Sequence, residues 1–520
     1  MISIGEILSI SCISMCFVGT FIGIIIGALP GLTPTMGVAL FLPFTFGMDT
    51  VPAFALLLGI YVGGTYGGSI SAILIRTPGT PSSAATCLDG NPLALQGKAS
   101  EALSCAVIVS FIGGIFSCII LVLLAETISQ VALSFGPAEY FAVGLFGLSV
   151  VASFCSKNLA KGLIGVFFGL FLSCIGMDNL TGFDRFSYGN TMALGGIQTV
   201  AALIGLFAFV EVFSKAKTIS REKDGTMMTI SNKIMPMKEL GKNWFNILRS
   251  SIIGTFIGIV PATGGGTASW LAYNEARRAS KHPEEFGKGS YEGLSACESA
   301  NNAVTGGAMI PLLTLGIPGD TITAVLLGAL MVQGLAPGPL LFAEHPDVIT
   351  GIYVSMIICN IFMLIIGLLG TRLFAKIIKI PNNILMPCVM MLCFIGTYAI
   401  GNKIFDVRVA LILGIIGFIF GQFEIPAPPI LLGLILGQTV ESNMRRALML
   451  SSGSYGIFFE KPISCVFIAL AVFSVAFTLI RDIRAEKKSK AAAENQAAAE
   501  GDAEVTVEAV PAAKQTEESK

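Results

Sequence analysis

Gly254-Thr255-Phe256-Ile257-Gly258-Ile259 repeats, letter for letter, the earlier hexamer Gly19-Thr20-Phe21-Ile22-Gly23-Ile24. Each copy runs into a turn rich in Pro, Gly and Thr: Ala28-Leu29-Pro30-Gly31-Leu32-Thr33-Pro34-Thr35 after the first, Pro261-Ala262-Thr263-Gly264-Gly265-Gly266-Thr267 after the second. A Gly-Gly pair follows in each (Gly67-Gly68; Gly306-Gly307). Past a similar apolar spacer comes Pro-Gly with a polar residue (Pro78-Gly79-Thr80; Pro318-Gly319-Asp320). One shared hexamer carries little weight in a chain rich in Gly and Ile. Four landmarks in one order, at a nearly constant offset, mark a duplication. The turns and breakers sit in or beside long apolar segments. Lipid cannot satisfy the backbone N–H and C=O groups that such interruptions free, so protein, water or a ligand must. Corresponding interruptions in two halves of a membrane chain point to a transport site between the repeats.

Composition agrees. The chain has 520 residues, 54% of them hydrophobic and 12% charged, and its mean hydropathy is +0.80. Soluble domains carry about 25% charged residues. Residues 7–48, 50–75, 102–125, 299–319 and 321–343 hold no charged side chain, and a membrane span needs about 20 apolar residues. Long apolar runs exclude a β-barrel, whose strands alternate over about 10 residues. The expected fold is an all-α polytopic membrane protein. It has two inverted repeats with broken or re-entrant helices and about 10–13 transmembrane helices.

The halves are expected at 1–213 and 250–480, joined by a polar connection at 214–249 and followed by a tail at 481–520. The connection has a clear excess of Lys and Arg, and Arg481, Arg484, Lys487, Lys488 and Lys490 crowd the end of the last span. Both are therefore expected on the cytoplasmic side, with the N-terminus, which bears only Glu6, outside. The apolar run beyond Glu6 is too long for a signal-peptide core and lacks a basic n-region, so it is expected to stay as a span. Gly63-Gly64-Thr65-Tyr66-Gly67-Gly68-Ser69 is poor helix material and is expected to break the span at 51–75. The Ala/Glu-rich tail is expected to be disordered.

No catalytic constellation stands out: there is no HExxH, no GxSxG and no P-loop. Gly264-Gly265-Gly266-Thr267 lacks the lysine that a phosphate loop requires. The chain is not expected to be an enzyme, to hold a cofactor or to bind ATP. The cysteines form no CxxC, and His282 and His345 have no second ligand at metal spacing, so no metal site is expected. With a net charge of −1, no nucleic-acid partner is implied. The broken segments offer other chemistry. A half-helix N-terminus suits a carboxylate, and unwound carbonyls suit a cation. The expected substrate-binding residues are Gly31, Thr33, Thr35, Thr65, Thr77, Gly79, Thr80, Thr263, Gly264, Gly265, Thr267, Asn301, Pro318 and Gly319. The expected cation-coupling residues are Asn301, Asn302, Thr305, Asp320 and Glu298. Single Ser and Thr hydroxyls also bond between helices for purely structural reasons. Glu298 and Asp320 bracket an apolar span, where they could equally meet water at its ends. Asp49 more readily caps a helix.

At these residues the chain resembles the large membrane subunit (TctA) of the tripartite tricarboxylate transporters. The resemblance rests on Gly27-Ala28-Leu29-Pro30-Gly31-Leu32-Thr33-Pro34, on Tyr61 through Leu74, and on Thr77-Pro78-Gly79-Thr80. It continues through Pro261-Ala262-Thr263-Gly264-Gly265, Glu298-Ser299-Ala300-Asn301-Asn302-Ala303 and Leu315-Gly316-Ile317-Pro318-Gly319-Asp320. It covers most of 1–480 and leaves out the tail. It implies a multi-pass permease of the bacterial inner membrane, working with a small four-span membrane subunit and a periplasmic solute-binding protein. It implies uptake of di- and tricarboxylates such as citrate, by symport with Na⁺ or H⁺. Homo-oligomers are possible. Two rivals stand beside this reading: a channel with the Gly/Thr runs as its filter, and a membrane scaffold with no transport path.

Overall fold

The computed structural model describes residues 9–154, 158–178, 180–217, 233–261, 263–378 and 382–483. Glu6, Ala262, residues 218–232 of the basic connection and the tail from 484 lie outside them. The described residues are almost wholly helical, and six helices are long and apolar enough to cross a membrane. The first half runs α1 (Ile10–Ala28), α2 (Pro34–Phe41), α3 (Thr50–Ile75), a 3₁₀ turn (Pro81–Ser83), α4 (Thr86–Leu93), α5 (Ala99–Ala132), α6 (Pro137–Phe154) and α7 (Leu159–Ser173). A two-stranded hairpin, β1 (Gly176–Met177) and β2 (Asp184–Arg185), leads to α8 (Thr199–Leu203), which continues through a π-helical stretch into α9 (Val210–Lys217). The second half repeats the order with α10 (Met237–Ile259), α11 (Gly264–Ala279), α12 (Tyr291–Leu315), α13 (Thr321–Val332), α14 (Pro346–Leu369), α15 (Asn382–Gly401), α16 (Ile404–Gln422) and α17 (Ala427–Leu450). It adds α18 (Pro462–Ile483).

The glycine run at 63–69 does not break its helix. α3 is continuous over 26 residues, and its glycines serve packing instead. A Cβ on Gly59, Gly63 or Gly67 would strike the α1 backbone around Gly19, Thr20 and Ile24. One on Gly19, Gly23 or Gly27 would strike the α3 backbone at Leu56, Ile60 and Gly64. Two backbones can lie this close only where small residues line both faces. The numbering rises together along the contact, so α1 and α3 run parallel. α10 and α12 reproduce the arrangement, with Gly254 against Ala300 and Gly258 against Val304. The interruption comes later, at Arg76 in the first half (φ 56°) and Gly316 in the second (φ 69°).

The hydrogen-bond register supplies the inversion. Ser69 of α3 bonds Glu298 of α12, and the Thr65 carbonyl accepts from Asn301. These equivalent helices therefore cross antiparallel. α5 and α14, also equivalent, are antiparallel too: Gly114 lies on Asn360 and Gly367 on Val107. α5 instead runs parallel to α12, with Gly113 on Ser299 and Gly306 on Ser117. The outer helices are exchanged between halves. α17 packs on α6 and α7, while α8 and α9 pack on α15 and α16.

The β-hairpin is tied down at one end of this bundle. Arg445 of α17 reaches Asp178 at 2.7 Å, and Arg185 holds Glu441 at 2.9 Å. The Arg445 guanidinium, helped by the Leu180 and Thr181 amides, holds the Asp178 carboxyl well below the usual carboxylate range. A lowered folded value stabilises the hairpin fully above the ordinary Asp range, about 3.9, and that stabilisation drains as pH falls below it. Hydrogen exchange across 176–185 is expected to stay slow down to about pH 4 and to quicken only in stronger acid. In Arg445→Ala it should be fast throughout. Superposable protection curves for the two proteins would remove Arg445 as the anchor.

Candidate functional site

Two helical hairpins enter the bundle from opposite ends and turn back inside it. α1 ends with Gly27 against Gly64 and Gly67, just past the middle of α3. α10 ends with Gly258 against Val304 and Gly307, at the same depth along α12. The return helices α2 and α11 therefore begin mid-bundle. The breaks after α3 and α12 fold back to the same depth. Gly79 sits on the Gly27 carbonyl and on Gly68, and Gly319 sits on the Gly258 carbonyl and on Ala308. Only a residue without a side chain fits either place.

These four tips form a ring. Thr35 at the head of α2 bonds Thr321 at the head of α13, Oγ1 to Oγ1 at 3.1 Å. The symmetric contact joins α11 to the 3₁₀ turn: a Cβ on Gly265 would lie 2.6 Å from Asn301 Oδ1 and 3.0 Å from Ser82. Gly264 approaches Asp320, and Pro34 packs on Gly64. The helix heads differ in how they are satisfied. Thr33 accepts the Met36 N–H over α2, and Thr80 accepts the Ser83 N–H. Asp320 Oδ1 accepts the N–H groups of Ile322 and Thr323, and its Oδ2 accepts the Tyr61 hydroxyl at 2.6 Å. The head of α11 has no side-chain cap. Thr263 instead donates to the Ile257 and Val260 carbonyls that close α10.

The polar run 298–307 is helical and buried, so it is not an interruption. It faces the other half. Glu298 is fully buried, which places it inside the bundle and away from the bracketing position its sequence offered. Its Oε1 accepts from Ser69 of α3 at 2.6 Å and from Thr86 of α4, and its Oε2 accepts from Ser110 of α5 at 3.2 Å. Asn302 Nδ2 donates to the same Ser110 at 2.7 Å. The Oδ1 atoms of Asn301 and Asn302 are buried and have no hydrogen-bond partner.

The structure thus gathers Gly31, Thr33, Thr35, Gly79, Thr80, Thr263, Gly264, Gly265, Asn301, Pro318, Gly319 and Asp320 at or beside the tips. The Thr65 and Thr305 hydroxyls donate to backbone carbonyls at Tyr61 and Asn302, as helical threonines do. Thr267 and Thr77 are exposed, and Thr77 bonds only the Ile75 carbonyl. Tyr61, Thr86 and Ser110 escaped the sequence reading, and Ser69 entered it only as the end of the glycine run expected to break its span. Ser110 carried a faint signal, as the central one of three serines in the charge-free run 102–125, and Tyr61 occupies in α3 the place that Asn301 holds in α12. Asp89 was missed as well. It is buried, and its Oδ1 accepts the Gly287, Gly289 and Ser290 amides at 2.8–2.9 Å while its Oδ2 takes the Tyr273 hydroxyl.

Comparison with known proteins places this arrangement in context. The profile of the Tripartite tricarboxylate transporter TctA family matches residues 13–432. The chain is 37% identical over 472 residues to an uncharacterised 52.8 kDa protein in the TAR-I ttuC' 3' region of Agrobacterium vitis. That alignment covers 91% of this chain and 94% of the relative. It is 36% identical over 234 residues to an uncharacterised protein in the TAR-II ttuC' 3' region of the same organism, covering 45% of this chain and 97% of the relative. No solved structure matches it.

Proposed function

The chain belongs to the tripartite tricarboxylate transporter TctA family, and from that premise we propose that it is the large permease subunit of a secondary transporter. It imports di- or tricarboxylates of the citrate kind, driven by a Na⁺ or H⁺ gradient. A periplasmic solute-binding protein delivers the substrate, and a small four-span membrane subunit completes the assembly in the bacterial inner membrane.

The observation that carries this reading is the uncapped head of α11, Gly264-Gly265-Gly266, held mid-bundle between the two breaks. A 16-residue helix presents free N–H groups and a partial positive charge there, and three glycines let a ligand approach the backbone. A substrate carboxylate suits that end. Thr80, Ser82 and Asn301 stand next to it with polar atoms for the remaining oxygens. The helices that could move against each other belong to different halves, as alternating access requires. By the basic connection and the basic end of α18, the β-hairpin end faces the periplasm. A filter built on the Gly63–Ser69 run fits poorly, since Gly63 and Gly67 are covered by α1, Gly64 by Pro34 and Gly68 by Thr80.

The test is labelled citrate uptake in vesicles carrying the chain with its two partners, with and without a Na⁺ gradient. Saturable uptake that collapses without the cation gradient is expected. Flux that never saturates and needs no gradient would replace the carrier with a channel.

A further inference from the structure

Glu298 is a carboxyl group in the middle of a membrane bundle with no countercharge. Three hydroxyls reach it, from α3, α4 and α5. Among the described residues no Lys, Arg or His contributes to its surroundings. The titratable groups that face it are Tyr66 of α3, Cys87 of α4, Cys105 of α5 and its own neighbour Cys297. None of them is basic. An ion buried without a partner costs several kcal/mol, and hydroxyl donors only soften this.

A second observation points to the same spot. One turn along α12, Asn302 Oδ1 is fully buried and has no donor; the likewise unpaired Asn301 Oδ1 faces the head of α11 instead. Buried acceptors without partners are rare and call for an explanation. Ser110 links the two features, since it donates to Glu298 Oε2 and accepts from Asn302 Nδ2. One carboxylate and the unpaired Asn302 amide oxygen, joined by Ser110, make an oxygen-rich cluster with one negative charge. Asp320, the half-buried acid near the tips, offers no such place, because the Ile322 and Thr323 N–H groups at the head of α13 already compensate its charge.

We infer that a single monovalent cation, Na⁺ or a proton, binds at the Glu298–Ser110–Asn302 cluster and neutralises it. The inference rests on the transporter reading, for which it supplies the coupling ion's seat. Bound there, the ion ties α3, α4 and α5 of one half to α12 of the other. Asn301 extends the same layer to the head of α11, so occupancy of the cation seat and of the substrate seat are felt by one helix.

The test is thermal unfolding of the purified full-length chain, titrated with Na⁺ at constant ionic strength (choline replacing it) and, separately, with pH. A saturable rise in Tm with Na⁺ identifies the ion as Na⁺. A rise as pH falls, with no response to Na⁺, identifies a proton. Glu298→Gln keeps the shape, removes the charge and is expected to abolish whichever response the native chain shows. Ser110→Ala, which loses the link but not the carboxylate, is expected to weaken apparent cation affinity about 10–100-fold. A native chain indifferent to both ions, or a Glu298→Gln chain with the full native response, overturns the proposal. The readout needs no substrate. Failed citrate uptake with an intact Glu298-dependent shift would therefore count against the substrate reading alone.

Discussion

Asn301→Ala is expected to abolish carboxylate uptake while the protein remains in the membrane at its normal level. The side chain reaches in two directions from α12. Its Nδ2 donates to the Thr65 carbonyl of α3, and its Oδ1 faces Gly265 at the head of α11. Truncation removes the group that relates the two halves at the depth of the tips. Losing a buried hydrogen bond to a charged ligand costs about 1.5–3 kcal/mol, roughly a tenfold to hundredfold loss of affinity. Folding should survive, because α12 is held mainly by its glycine faces against α10 and α5. Asn302→Ala should fail for a related reason, since it leaves Ser110 without its second partner. Normal uptake by both variants would remove the pair from the site.

Asp89→Ala should do its damage to folding. The carboxylate sits on α4, immediately after the first break, and grips the loop that leads into α12. That loop turns through Gly287 and Gly289, both at positive φ, so successive amides point inward at one oxygen. Alanine would strand the buried Ser290 N–H and Tyr273 hydroxyl and release the less buried Gly287 and Gly289 amides. Each stranded buried group costs about 1–3 kcal/mol, so a total of at least about 2 kcal/mol is expected. That is a sizeable part of the 5–15 kcal/mol typical of a whole domain. Asp89→Asn keeps an acceptor and should lose far less. Denaturation midpoints of the two variants would decide, and an alanine variant unfolding with the native protein would show that the grip contributes nothing.

Much of this molecule was legible before any coordinates. The long charge-free runs required membrane helices, and the paired landmarks required two repeats. The Pro-Gly breakers at 78–79 and 318–319 marked where helices end. The turns at 30–35 and 261–267 marked where chains reverse. Each of these follows from local chemistry: hydropathy, a missing N–H at Pro, a missing Cβ at Gly. The error at Gly63–Ser69 arose at the limit of that logic. Glycine lowers helix propensity by itself, but the same glycines let α1 lie against α3, and burying a whole helix face outweighs the propensity.

The partners of each polar group were not legible. Glu298 meets Ser69 and Ser110 across 229 and 188 residues of sequence, and nothing local to either residue encodes the other. The two acids of the second half look alike in the sequence, each beside an apolar span. Only the packing made one a helix cap with both oxygens engaged and the other a charge with no partner but hydroxyls. Sequence alone determined that this chain is a duplicated, twice-broken membrane bundle, because backbone hydrogen bonding and the transfer of side chains out of water are decided residue by residue. The tertiary structure decided which broken ends meet and which carboxylate is left uncompensated, because those depend on the antiparallel crossing of α3 and α12, a contact between helices that the chain itself keeps far apart.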